Sequence, residues 1–225
     1  MIELVLVRHG QPDWEPDGRA RDEPELTPLG RAQAEAAARA LAAERFDALY
    51  VSPLRRARET AEPIEKALGL TARVERWLAE IRLPPLEGTP LEEVQRFFAR
   101  MRMRDLPDWW NGPEGGESFR HFHERVTTGV EEALASHGVR RLSQSLWGVP
   151  ERDVRVLMVA HGGSIAVLLA HLLGIDPEPF EGERFQIGWT GIARARTLPV
   201  ASAHVWSLQA FNARAHLQGL PDPPG

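Results

Sequence analysis

Cysteine is absent from the 225-residue chain. That excludes disulfides, thiolate nucleophiles and cysteine-ligated zinc, and it fits a reducing compartment. Tyrosine is nearly absent too, with Tyr50 alone. No uncharged run approaches the ~20 residues needed to cross a bilayer. The start, "MIELVLVRHG", carries charges and no long apolar segment, so no secretory leader is expected. An excess of positive charge is also missing. The 27 basic residues face 32 acidic ones, for a net charge of −5, whereas general binders of nucleic acid or anionic membranes are usually basic. The expected setting is cytoplasmic, without a nucleic-acid or membrane partner.

What is present suits an ordinary soluble, globular chain. Hydrophobic residues make up 43% and charged residues 26%, which supports a real core. Strand-like apolar runs at 2–8, 47–52, 71–75 and "VRVLMVAH" alternate with helix patterns. Thr27 and Pro28 open the first helix, and Ser52 and Pro53 open the second. Gly69 ends the second helix, and Pro63 should kink or interrupt it. Thr89 with Glu92 reads as a capping box for a third. Residues 107–116 read as a turn-rich connection, and 117–136 as an amphipathic helix with a stripe of Phe119, Phe122, Val126, Val130 and Ala133. Another helix is expected over 163–174, then a hairpin, then a frayed tail at 218–225. The expected fold is α/β, with a central, mostly parallel sheet and helices on both faces. One domain is expected over 1–225, with a cap region at about 82–118 and an extra loop at about 138–152. No linker divides the chain, and no repeat is present.

Two apolar runs end alike. "VLVRHG" delivers Arg8, His9 and Gly10, and "VLMVAHGG" delivers His161, Gly162 and Gly163. In open α/β sheets, ligands bind at the carboxyl ends of the strands. Two central strands ending this way bring His9 and His161 together. The helix start after His161 offers N–H groups and a partial positive charge, and arginines nearby match phosphate oxygens. The result is an electropositive cup around two imidazoles, suited to phosphate.

The ordered pieces "VRHG", "LTPLGRAQA", "SPLRRARETA", "LAEI", "GGES" and "VAHGGS" resemble the histidine phosphatase superfamily, the phosphoglycerate-mutase-like group. The resemblance runs from about residue 2 to about 174. It implies a nucleophile at His9 and phosphate-binding arginines at Arg8 and Arg56. It implies a second histidine at His161 and a proton donor at Glu80. Arg56 fits the pattern better than Arg55 because Ala57 follows it. Gly162 and Gln11 are further candidates for phosphate contact. No cofactor or metal is implied. The implied reaction is hydrolysis of a small phosphate ester through a phosphohistidine, a covalent route that splits one hard step into two.

The chain departs from the family's usual spelling in places. "RHGQPDWE" sets Glu15 where Asn is common, and an acid beside a phosphate is unfavourable, so Glu15 should point away. "LPPLEG" replaces a Trp-containing acid loop and makes Glu87 a rival acid. His121 and His123 of "HFH" lie about 200° apart on a helix and cannot share a metal. Trp109 and Trp110 fit either a substrate lid or core packing. Ser118 fits a helix start or a substrate contact. A phosphoglycerate mutase is an alternative, weakened by the short stretch between "LEG" and "EGGES" and by the single tyrosine. A non-catalytic phosphate-binding module is another, weakened because all five central residues are present. A homodimer is compatible with the sequence, and no feature decides it. The particular ester is not legible.

Overall fold

The apolar runs form the middle of a sheet. The computed structural model describes residues 1–221. In chain order the elements are β1 (Ile2–Arg8), α1 (Pro28–Leu41), β2 (Ala48–Val51), α2 (Arg55–Leu68) and β3 (Arg73–Val74). There follow α3 (Leu91–Arg102), α4 (Leu106–Asn111), α5 (Phe119–Ala135), β4 (Arg140–Arg141) and β5 (Trp147–Gly148). The chain then continues through β6 (Val154–Ala160), α6 (Gly162–Leu172), α7 (Glu181–Arg184), β7 (Ile192–Val200) and β8 (Ala203–Ala213). Among the described residues the sheet has eight strands in the order β3-β2-β6-β1-β7-β8-β5-β4. β3, β2, β6 and β1 are mutually parallel. The hairpin of β7 and β8 and the short β5–β4 pair extend the β1 side antiparallel.

Helices cover both faces, and the alternation along β1 shows why. Leu4 and Leu6 join one core with Phe122 and Val126 of α5 and Leu168 of α6. Val5 and Val7 join a second core with Leu41 of α1 and with Ala57, Ala61 and Ile64 of α2. Successive residues of a strand point to opposite faces, so a strand buried on both sides must be apolar throughout. Each such aliphatic side chain contributes roughly 1.5–3 kcal/mol.

Several local expectations are corrected. Ser52 does not cap α2. The helix starts later, after Leu54, and has no side-chain cap. Pro63 lies inside α2 without ending it. A buried stripe of Ala57, Thr60, Ala61 and Ile64 holds the helix on the sheet, and such packing outweighs a local break. The Thr89–Glu92 capping box does not form. Pro90 stands at the cap of α3, because the Thr89 backbone bonds Ala20 and Leu86 instead. The 107–116 connection contains α4. The expected Thr27 cap is present, accepting the Gly30 N–H at 2.9 Å, and Gly69 ends α2 with φ 64°. The stretch 138–152 forms β4 and β5 at the far edge of the sheet, with Trp147 fully buried. Of the tail, residues 222–225 lie outside the described residues.

Two glycines interlock the loop after β1 with the start of α1. A Cβ on Gly10 would sit 2.5 Å from the Gly30 carbonyl oxygen, and a Cβ on Gly30 would fall inside the Gln11 carbonyl. The backbones touch where side chains cannot fit. Gly30→Ala is expected to lower stability by about 1–3 kcal/mol, the usual cost of overpacking. Urea unfolding of the variant checks this, and a midpoint equal to wild type contradicts it.

Candidate active site

Register decides where the two histidines meet. Arg8 pairs with Ala160 across the parallel β1–β6 ladder, and the His9 N–H donates to the Ala160 carbonyl at 2.9 Å. The next side chains along, His9 and His161, lie side by side with ring centroids 5.0 Å apart at 55°. Ser52 leaves the end of β2 on the other flank of β6, its N–H bonded to the Val159 carbonyl at 3.0 Å. Three strand ends therefore converge.

The His9 tautomer follows from its partner. Nδ1 lies 2.7 Å from the Gly10 carbonyl oxygen, which can only accept, so Nδ1 carries the proton. Nε2 is left with its lone pair. Burial, then the charges of Arg8 and Arg56, hold the His9 pKa well below the ordinary value. His161 is depressed likewise, by burial and then by His9, Arg56 and Arg8. His161 Nε2 lies 2.7 Å from Ser52 Oγ.

Cations surround these neutral rings. Arg8 donates from Nη1 to the Ile187 carbonyl at 2.6 Å, and Arg56 is 4% exposed. Burial pushes both guanidinium pKa values down, while the charge of Glu80 pulls them back. Arg8 Nε, Arg56 Nε and Nη1, and His161 Nδ1 are buried without a hydrogen-bond partner among the described residues. Unpaired buried donors are costly, and a phosphoryl group is the anion whose oxygens match them. Thr60 ties two site segments together: its hydroxyl donates to the Arg56 carbonyl at 2.7 Å and accepts the Gly10 N–H at 2.9 Å. Arg55, by contrast, is exposed and paired with Glu25 and Glu59.

Glu80 is held at the start of α6. Its Oε2 accepts the Gly163 N–H at 2.9 Å, and its Oε1 accepts the Ile81 N–H at 3.0 Å. A Cβ on Gly163 would fall inside the carboxylate, so the second glycine of "HGG" makes room for the acid. One N–H of this helix start is thus taken by Glu80 and not by an anion. Glu87 is exposed and clamped by the Arg21 guanidinium and the Asp22 N–H, both at 2.9 Å.

Gly162 abuts Arg8: a Cβ there would lie 3.8 Å from the guanidinium. The Gln11 carboxamide oxygen accepts from the Thr27 hydroxyl at 2.8 Å. Glu15 is exposed. Ser118 caps α5 through the His121 N–H at 3.1 Å. Within "HFH", His121 is exposed and His123 faces Glu181 at 4.0 Å.

Four residues of this site take no site role from the sequence: Ser52 and Glu117 stand inside the motifs "SPLRRARETA" and "GGES", and Trp14 and Arg125 lie outside the motifs. Ser52 reads as a helix cap, although its place after a buried run marks it as a third strand end. Trp14 lies over Arg56 with the guanidinium carbon 4.8 Å from the ring centroid. Arg125 donates to the carbonyls of Trp77 at 2.9 Å and Ala79 at 3.1 Å. The same guanidinium pairs with Glu117 at 3.0 and 2.8 Å. Glu117 in turn accepts the Arg82 N–H at 3.1 Å. Burial works against the Glu117 charge, but Arg125 and the Arg82 N–H bring its pKa below the ordinary value. Together they fasten both sides of the Glu80 loop to α5.

The sequence profile of the histidine phosphatase superfamily (branch 1) matches residues 4–212. The chain belongs to that superfamily. A glucosyl-3-phosphoglycerate phosphatase of Mycolicibacterium vanbaalenii is 34% identical over 224 residues, covering 95% of this chain and 96% of the relative. Phosphoserine phosphatase 1 of Hydrogenobacter thermophilus is 30% identical over 187 residues, covering 80% of each. The solved structure of a mycobacterial glucosyl-3-phosphoglycerate phosphatase in complex with VO3 superposes with a TM-score of 0.73 at 30% identity, covering 94% of this chain and 99% of that one.

Two imidazoles buried in the neutral form make stability depend on pH. The unfolded chain takes up protons on both rings near pH ~6.5, and the native state refuses them. Stability therefore falls as pH drops below that value, by up to about 1.4 kcal/mol per pH unit for each ring. Urea unfolding between pH ~7.5 and ~5.5 is expected to show a shallower slope for His161→Asn than for wild type. Equal slopes contradict the neutral pair.

Proposed function

We propose that this chain is a metal-independent phosphomonoester hydrolase that works through a phosphohistidine on His9. The observation that carries the reading is the His9–Gly10 hydrogen bond of 2.7 Å. It leaves Nε2 unprotonated inside a cup of buried donors that the protein does not satisfy.

The geometry supports the following sequence of events. Phosphoryl oxygens take the free donors of Arg8, Arg56 and His161. With the Ser52 hydroxyl donating to Nε2, His161 carries its proton on Nδ1 and offers it to the same oxygens. His9 Nε2 attacks phosphorus as the ester P–O bond breaks. The leaving alkoxide takes a proton from Glu80, so an alcohol departs. Water then attacks the phosphohistidine and gives its proton to Glu80. The P–N bond breaks, His9 recovers its lone pair, and inorganic phosphate leaves. Catalysis is mostly positioning and charge stabilisation. On this reading Gly162, within van der Waals reach of Arg8, and Gln11 are further candidates for phosphate contact.

The substrate on this reading is a small phosphorylated metabolite. Relatives named for glucosyl-3-phosphoglycerate and phosphoserine support that class. A mutase must shelter its phosphohistidine from water. The stretch after the acid loop supports the hydrolase instead, because α3 and α4 bury none of their residues. No described helix is long and apolar enough to cross a membrane. That is compatible with a cytoplasmic single-domain enzyme.

p-Nitrophenyl phosphate should be hydrolysed in the presence of EDTA, and acid-labile phosphate should be trapped on the protein. His9→Ala should abolish both. A wild-type chain inert on phosphomonoesters, or one needing a divalent cation, contradicts the proposal. Arg125→Met tests the clamp on the acid loop. A misplaced acid hurts esters whose alkoxides need the proton and spares those that leave unaided. The variant should lose roughly 10²-fold or more on alkyl phosphates and much less on p-nitrophenyl phosphate. Equal losses on both esters assign Arg125 to general stability alone.

A further inference from the structure

Beside Glu80 lies a cavity of about 80 Å³ that the phosphoryl chemistry does not use. Its wall includes Ile81, Gly163, Trp109, Phe119, Val167 and Phe180. Ile81 follows Glu80 in the chain, and Gly163 donates the N–H that holds the Glu80 carboxylate at 2.9 Å. The acid and the cavity therefore share a wall. The aromatic side fixes itself. Trp109 stands 6.2 Å from Phe119 at 50° and 6.4 Å from Phe180 at 89°, separations at which aromatic pairs attract. Trp110 points elsewhere, beneath the Arg120 guanidinium at 5.2 Å.

In an in-line transfer the leaving oxygen lies opposite the attacking nitrogen, and the acid must reach that oxygen. The carbon chain on that oxygen therefore emerges next to Glu80, at this cavity. We propose that the cavity is the leaving-group subsite, and that it selects phosphate monoesters whose alcohol carries a compact aliphatic group of roughly three or four carbons. The proposal rests on the hydrolase reading above and names its substrate class.

Size and polarity set the limit. A cavity that holds benzene measures ~150 Å³. About 80 Å³ falls short of that. A sugar on the leaving alcohol has to lie outside it. Hydroxyl groups laid against this apolar wall lose part of their hydration without replacement partners. Glu183 is the charged member of the lining, so an anionic leaving group meets repulsion there.

The test uses the purified chain with ethyl, propyl, butyl and hexyl phosphate, glycerol 3-phosphate and p-nitrophenyl phosphate. The alkyl alcohols are almost equally acidic, so their ranking reports binding and not leaving ability. kcat/KM is expected to rise roughly fourfold per methylene from ethyl to butyl and to gain nothing further at hexyl. Glycerol 3-phosphate is expected below propyl phosphate. Trp109→Ala should move the optimum to hexyl phosphate. Val167→Ala enlarges the opposite wall and serves the same purpose if the first variant does not fold. Turnover of p-nitrophenyl phosphate with a flat alkyl series, with glycerol 3-phosphate above propyl phosphate, or with an unmoved optimum in the folded variants, overturns the subsite and leaves the hydrolase reading standing. No turnover of any ester overturns both.

Discussion

Two guanidinium groups kept out of water set the terms for everything around them. Arg8 Nε and Arg56 Nε and Nη1 are buried, and among the described residues no side chain or carbonyl accepts from them. A cation in that position is tolerable only if an anion arrives or a carboxylate stands near, and Glu80 is the carboxylate whose charge reaches both. Burial first, and then the same two charges, hold the His9 and His161 pKa values down and keep both rings neutral. The neutral imidazole pair, the unpaired donors and the nearby Glu80 carboxylate thus belong to one electrostatic arrangement.

Much of this was legible in the chain. Apolar runs without polar interruption mark strands buried on both faces, and residues just past their ends face the sheet's functional edge. That logic reaches Arg8, His9 and His161 from local pattern, and the ordered family motifs add Arg56 and Glu80. What escaped depends on contacts between distant segments. Arg125 is an ordinary arginine on an amphipathic helix until the 76–82 loop folds against it. Ser52 looks like a helix cap because Ser-Pro often begins helices; only the β2–β6 pairing turns its hydroxyl toward His161. The 138–152 stretch lacks strand periodicity, and its two short strands exist because β8 offers an edge to pair with.

"QPDWE", where the family's spelling is lost, has a specific outcome. Glu15 is exposed and makes no ion pair with either buried arginine among the described residues. The informative residue is its neighbour. Trp14 covers the Arg56 guanidinium, so the altered loop meets the buried arginine through an aromatic face. Stacking of this kind shields a cation from water without neutralising it.

The position of β6 carries a consequence for synthesis. It is made after the other two strands of the site, yet it lies between them, with β2 on one side and β1 on the other. A nascent chain that has emerged only through α5 therefore has no neighbour for the inner edge of either strand. Pairings of such long sequence separation close slowly and leave edges open meanwhile. An amino-terminal fragment that ends before β6 lacks His161 and the strand that separates β1 from β2, although Thr60 ties the Gly10 N–H to the Arg56 carbonyl. Activity should therefore appear all at once, when the last parallel strand slides into the gap.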